Sequence, residues 1–389
     1  MTVLVSSHFV YAGRVGGAEH MTYNLVRGLN EAKADPVVLC TNRSNLWDRF
    51  VQECEHSAVP VIECGGNRGP RFLIEQRACF NASLHGDTIL FPNYFLPPFI
   101  PARLGAPAVV IHDFQYRHFP QYFSAKKRAW LRFSHARAMR HADKVIFISE
   151  FVRQDAIRWF GSIAHRGIVI PNPISWDRFS ASSGSPSPED RPYILSVAAH
   201  YPHKQLDVLL KAFADFSRKR PDVCLVLVGQ LASNLVSVSD STGAIGRLIA
   251  ELQLTDRVRV TGYITDAELG NYLRHATAFA FPSVFEGFGM PVVEALGFGL
   301  PCLTTRCTAI PEATLGLATY VDNPADVGEW ASRLQTLVDA PRLSSTQIQQ
   351  VRDRYAPLTI GHQYKSVLSG NRKAQGVNVP ASPVRTMIN

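Results

Sequence analysis

The sequence predicts two doubly wound α/β domains, and three observations predict them. A length of 389 residues exceeds what one core fills and suits two domains of roughly 150–200 residues. Short apolar or β-branched runs alternate with longer helical patterns along nearly the whole chain. Near the middle, Ser180-Ala181-Ser182-Ser183-Gly184-Ser185-Pro186-Ser187-Pro188 interrupts that alternation with small, polar, Pro-bearing residues, as linkers do.

Taken in order, the start Met1-Thr2-Val3-Leu4-Val5 reads as a first buried strand, since it has neither the basic segment nor the long apolar run of a secretory signal. Further strands are expected at 37–40, 88–91, 108–112, 144–148, 168–170, 193–197, 223–228, 257–261, 278–281 and 301–304. Helical patterns fall at 18–30, 126–141, 150–160, 205–220 and 266–275. Apolar strands separated by helices are the pattern of parallel sheets covered on both faces. The expected domains are 1–180 and 193–370, joined by a linker over 181–192. A tail over 371–389, with three basic residues, two prolines and little periodicity, is expected to be disordered.

Composition narrows the function classes. With 46% hydrophobic and 19% charged residues, a buried core is expected and global disorder is not. The net charge of +8 favours an anionic partner, which a phosphate-bearing substrate, a lipid head group or nucleic acid would satisfy. No zinc module, RNP-type string or helix-turn-helix signature supports nucleic acid. The seven cysteines include no C-x-x-C pair and read as reduced thiols of a cytoplasmic protein. No run of 18 apolar residues is present to span a membrane.

The chemistry concentrates in Phe281-Pro282-Ser283-Val284-Phe285-Glu286-Gly287-Phe288-Gly289-Met290-Pro291-Val292-Val293-Glu294-Ala295-Leu296-Gly297. A strand ends near Phe281, a Gly-rich loop follows, and Pro291 stands in the first turn of a helix, where its missing N–H costs nothing. Gly287, Phe288 and Gly289 present backbone amides at the positive end of that helix, an anion site suited to a diphosphate. Glu286 and Glu294 beside it would be unfavourable unless they accept hydrogen bonds from hydroxyls, one on a sugar and one on a ribose. Lys204 follows the strand 193–197 at a strand-to-helix turn, from which an ammonium reaches phosphate oxygens.

This segment resembles the retaining family-4 glycosyltransferases, whose hallmark is E-x7-E in the context F-E-G-F-G-x-P-x-x-E-A-x-x-x-G-x-P. Ile310-Pro311-Glu312 is similar to a downstream element of the same family. The resemblance extends over most of residues 10–340. It implies the GT-B fold, two Rossmann-like domains facing across a cleft, with donor bound mainly by the second. It also implies that Gly16 and Gly17, in Gly13-Arg14-Val15-Gly16-Gly17-Ala18-Glu19, turn toward the donor phosphates. His112 is placed near the donor sugar and Tyr263 near the nucleotide base. The family's second phosphate-binding cation is replaced here by Ala198-Ala199, which leaves His203 or an arginine elsewhere as the candidate.

The expected activity is therefore hexosyl transfer from a nucleotide diphosphate-sugar to a glycan or lipid-linked acceptor. His112, Lys204 and Glu286 would be catalytic. Gly16, Gly17, Tyr263, Gly287, Phe288, Gly289 and Glu294 would bind the donor. No D-x-D is present to hold a divalent cation, so no metal or other cofactor is expected. The strand end at His112-Asp113 with Phe114-Gln115-Tyr116 is most similar to bacterial mannosyl- or rhamnosyltransferases of surface polysaccharide assembly. The basic, aromatic stretch 126–141 suggests peripheral contact with an anionic membrane on its inner face. A non-catalytic sugar-nucleotide scaffold and a GT-B epimerase are the rival readings.

Overall fold

The computed structural model describes residues 1–10, 16–40, 46, 48–64, 71–81, 83–182, 184–229 and 241–370. The tail 371–389 and residues 11–15 of the N-terminal glycine loop lie outside them.

The chain divides into two compact units, one built from Met1–Pro120, Ser124–Ser175 and residues 354–370, the other from Trp176–Asp353 with Gln121–Phe123. The first holds a seven-stranded parallel sheet: β1 (Val3–Ser6), β2 (Pro36–Cys40), β3 (Val61–Glu63), β4 (Thr88–Phe91), β5 (Ala106–Ile111), β6 (Lys144–Phe147) and β7 (Ile168–Val169). Their spatial order is β3-β2-β1-β4-β5-β6-β7. The second holds β8 (Tyr193–Val197), β9 (Cys224–Val228), β10 (Val258–Gly262), β11 (Ala278–Phe281), β12 (Cys302–Thr305) and β13 (Thr319–Val321), in the order β10-β9-β8-β11-β12-β13. Numbered within its own unit, each sheet runs 3-2-1-4-5-6, the first with one strand more. The order reverses between β1 and β4, and again between β8 and β11. Open sheets of this kind bind ligands beyond the carboxyl ends of the strands flanking such a reversal.

Strand positions agree with the sequence reading to within two residues. The short β3 and β13 are additional, too brief to carry a pattern of their own. Buried strands such as β9 and β11 are apolar throughout because helices cover both faces. In the second unit, Phe213 and Phe216 of the helix Leu206–Lys219 pack in one core with Trp330 and Leu334 of the helix Val327–Leu337. Each such side chain contributes about 1.5–3 kcal/mol by leaving water.

Two segments differ from the expected organisation. The helix Pro357–Leu368, assigned by sequence to the second domain, belongs with the first unit and packs on the helix Gly17–Glu31. Glycine makes that possible: a Cβ on Gly28 would strike the backbone of Pro357, and one on Gly361 would strike the backbone of Gly28. The linker is fastened along its length. Asn271 donates to the Pro186 carbonyl at 2.9 Å, and the His275 ring meets the Ser185 carbonyl at 3.0 Å.

Candidate functional site

β8 and β11 pair directly, so the loops that follow them lie side by side at the reversal of the second sheet. After β8 a single 3-10 turn, Pro202–Lys204, leads through Gln205 (φ 44°) into the helix Leu206–Lys219. A left-handed non-glycine residue costs on the order of 1 kcal/mol or more, and here it sets the angle between turn and helix. After β11 the chain runs through 282–289 to the helix Met290–Gly297, with Gly289 at φ +96°, a conformation that favours glycine.

The β11 loop is tied down from both sides. Val284 donates its N–H to the His203 carbonyl at 2.9 Å. From the β12 side, the Thr305 hydroxyl donates to the Ser283 carbonyl at 2.6 Å, and the Thr308 hydroxyl accepts from the Glu286 N–H at 2.9 Å. These bonds fix the backbone on which Glu286 stands. Its Oε1 lies 2.5 Å from Lys204 Nζ, both side chains being about 85% covered. Lys204 Nζ also stands 5.7 Å from the centroid of the Phe281 ring. An ammonium has three donors, so one bond to Glu286 leaves two for a ligand.

Glu294 has a different setting. It lies fully buried on a helix whose other residues are apolar, and Arg178 donates to its Oε1. Arg178 Nη1 in turn stands 3.4 Å from Asp266. Burial pushes the Glu294 carboxyl up to about 7, Asp266 pushes the same way, and Arg178 opposes both. Oε1 is engaged, and Oε2 keeps the capacity to accept from another donor.

The structure thus brings Lys204, Glu286, Gly287, Phe288, Gly289 and Glu294 onto two adjoining loops and one helix start. Tyr263 follows β10 and is 66% exposed. Its turn is held by the Gly229 N–H donating to the Gly262 carbonyl at 3.0 Å. His203, the candidate for a second cation, has surroundings that disfavour the charged form. It is buried, and its imidazole is pushed down to about 3 by desolvation and by Lys204.

Gly16, Gly17 and His112 belong to the first unit, each beyond the carboxyl end of a strand. Gly16 caps the helix Gly17–Glu31, and its N–H donates to the Glu19 carboxylate at 3.0 Å. A Cβ on Gly17 would meet nothing within 4 Å. His112 Nε2 lies 2.9 Å from the Pro92 carbonyl, just after β4. Burial pushes its imidazole down. The neutral ring therefore carries its proton on Nε2 and presents Nδ1 as an acceptor.

Sequence reasoning missed Arg178, Asp266, Thr305 and Thr308. Arg178 alone had a signal: an ionisable residue within Met290-Pro291-Val292-Val293-Glu294-Ala295-Leu296 requires a buried cation somewhere in the chain.

Comparison with known proteins decides the family. Residues 177–354 match the model described as glycosyl transferases group 1, and residues 15–178 match that of Glycosyltransferase Family 4. The chain belongs to glycosyltransferase family 4. Among its relatives, an MMP α-(1→4)-mannosyltransferase of Mycolicibacterium hassiacum is 31% identical over 55% of this chain and 50% of its own length. An O-antigen chain mannosyltransferase B of Escherichia coli is 26% identical over 64% of each. The chain thus spans half to two thirds of the length of these curated relatives. Among solved structures, Anabaena HepE in complex with UDP and glucose superimposes with a TM-score of 0.70 at 19% identity, covering 94% of this chain and 99% of that one. WaaG, a glycosyltransferase involved in lipopolysaccharide biosynthesis, gives 0.67 at 15% identity, covering 95% and 100%. The family 4 chain has the GT-B fold of these structures.

Proposed function

We propose that this chain transfers a hexose, mannose in first place, from a nucleotide diphosphate-sugar to a hydroxyl of a glycan or lipid-linked acceptor, with retention at the anomeric carbon. The observation that carries the reading is the Lys204–Glu286 pair at the strand reversal, beside a glycine-capped helix start. The mannose reading comes from the mannosyltransferase relatives.

In this reading the donor diphosphate lies against the amides at Phe288–Gly289 and the two remaining donors of Lys204, which neutralises the leaving group without a divalent cation. Glu286 accepts from donor-sugar hydroxyls, and Glu294 Oε2 accepts from the ribose. The bond from the anomeric carbon to the diphosphate oxygen breaks as the acceptor oxygen bonds to that carbon. The acceptor proton passes to the departing diphosphate. His112, neutral with Nδ1 as acceptor, positions a further sugar hydroxyl.

Thermal unfolding with GDP-, UDP-, dTDP- and ADP-sugars in EDTA tests this. One nucleotide class at 100 times its dissociation constant should stabilise by about 2.7 kcal/mol, and Glu294→Ala and Lys204→Ala should lose the response. A response that appears only when metal is restored would sink the metal-free reading.

A lipid-linked acceptor agrees with the helix Ala125–His141, which exposes Trp130 (40%) and Phe133 (59%) beside Lys126, Lys127 and Arg128. No described helix is long and apolar enough to cross a membrane, and this one would lie on the surface of an anionic bilayer, on its cytoplasmic side. Lys126→Glu with Lys127→Glu should abolish co-sedimentation with phosphatidylglycerol vesicles. Unchanged sedimentation would remove membrane contact from the proposal.

A further inference from the structure

An open hollow of about 310 Å³ lies wholly within the first unit, between the segment 116–120, the helix Ala125–His141 and the helix Glu150–Phe160. Tyr116, Arg117, Pro120, Arg128, Arg132 and Trp159 line it. The Arg117 guanidinium is fixed over three rings, 5.5 Å from the centroid of Tyr116, 5.1 Å from Trp159 and 5.7 Å from Phe160. None of the three arginines has a carboxylate partner among the described residues. The acid nearest in sequence on the Trp159 helix, Asp155, is engaged by His118 at 2.5 Å. Asp113, whose charge reaches Tyr116, accepts from the Gln115 N–H.

Among the residues that line the hollow, Arg117 Nε and Trp159 Nε1 are buried without a hydrogen-bond partner, and the Tyr116 phenol interacts with the Arg117 side chain. The hollow is thus walled by a surplus of cationic donors with no lining carboxylate to balance them, and such a surplus favours an anionic occupant. Burial pushes the Tyr116 phenol up to about 12, so it keeps its proton and can donate. The charged side chains that line the hollow are all donors, the guanidinium groups of Arg117, Arg128 and Arg132. The occupant must be rich in acceptors and negatively charged. A phosphoryl group with its non-ester oxygens meets that demand better than a carboxylate with two. The partly exposed Trp159 and the exposed Pro120 offer apolar surface to the C–H face of a pyranose.

We propose that this hollow is a binding site for a phosphorylated sugar, with the phosphoryl group held by Arg117, Arg128 and Arg132 and the ring laid on Trp159. On the transferase reading it would hold the phosphate-bearing end of the acceptor, although the binding itself does not depend on that reading.

The sequence contains five tryptophans, so the indole N–H region of an ¹⁵N-labelled protein shows at most five signals, and Trp159→Phe assigns one. Mannose 1-phosphate should shift the Trp159 signal saturably, while methyl α-mannoside leaves it in place. Arg132→Gln, at an exposed position, should weaken that shift at least about tenfold. Arg117→Gln should do the same if the ring stack survives, which the unfolding midpoint reports. Titrating in the Lys204→Ala background removes any contribution from the donor site, so failure here is separable from failure of the transferase reading. A shift that persists unchanged in Arg132→Gln, or a response to phosphatidylglycerol vesicles but not to mannose 1-phosphate, would overturn the proposal.

Discussion

Glu286 and Glu294 are the same residue type, eight positions apart, each paired with one cation, yet their surroundings differ. Glu286 stands on a loop, at the edge of solvent, with a flexible ammonium as partner. Glu294 stands on a helix and is only 4% exposed, with a planar guanidinium that is itself buried. The first pair can open when a ligand arrives and divide its donors between protein and phosphate. The second cannot open without leaving the buried Arg178 guanidinium short of an acceptor in a low-dielectric interior. Spacing alone therefore marks two carboxylates, and in the proposed reaction burial distinguishes the one that meets the donor sugar from the one that serves as a fixed acceptor.

The largest effect that separates them comes from Glu294→Gln. It should lower kcat/KM by about 10²–10³, mostly through KM, and destabilise the fold by about 3 kcal/mol because Arg178 loses its counter-ion. Arg178→Met combined with Glu294→Leu should recover the unfolding midpoint but not donor binding. If it recovered both, Glu294 would be only a core residue.

Glu286→Gln should be the mirror image. We expect about a hundredfold loss in kcat with KM little changed, and less than about 1 kcal/mol in stability. Equal losses of stability in the two Gln variants would break the comparison.

A pH series sharpens it further. In the folded protein Glu294 keeps its proton to about pH 7, whereas in the unfolded chain it ionises near the ordinary 4.5. The folded state holds the extra proton between those values, so stability falls as pH rises through that window, by a few kcal/mol in order of magnitude. Donor affinity should move the opposite way, rising through pH 7 as the carboxylate becomes available to ribose hydroxyls. Arg178 holds this pKa down, so Arg178→Met should displace both transitions to higher pH. Midpoints measured from pH 5 to 8, with and without nucleotide, read both.

The smallest effect distinguishes two glycines. Gly289→Ala, at φ +96°, should cost about 1–2 kcal/mol. Gly17→Ala meets open space and should change the midpoint by less than about 0.5 kcal/mol.

Much of this was legible in the sequence because the signals are local. Apolar strands, the Gly-rich loop and Pro291 fix the β11 loop and its helix within a span of about twenty residues. The position of Lys204 was legible for a similar reason, since it stands at a strand-to-helix turn that the local pattern marks. What stayed hidden depends on contacts distant along the chain. Arg178 lies 116 residues from Glu294, and only the burial of that carboxylate points to it. Thr308 supports Glu286 through one hydroxyl, and no pattern marks such a residue. Gly28 and Gly361 reveal their purpose only when two helices from opposite ends of the sequence are placed together.

That last contact bears on how the protein is made. Synthesis runs from the N-terminus, so the first unit has all its strands by residue 169, yet its closing helix, Pro357–Leu368, is added about 190 residues later. Until then the face of the helix Gly17–Glu31 around Gly28 has no cover. Domains commonly fold as units during translation, N-terminal first. Here the second unit can complete itself while the first is still waiting, and truncation after residue 353 would leave the second unit intact and the first open.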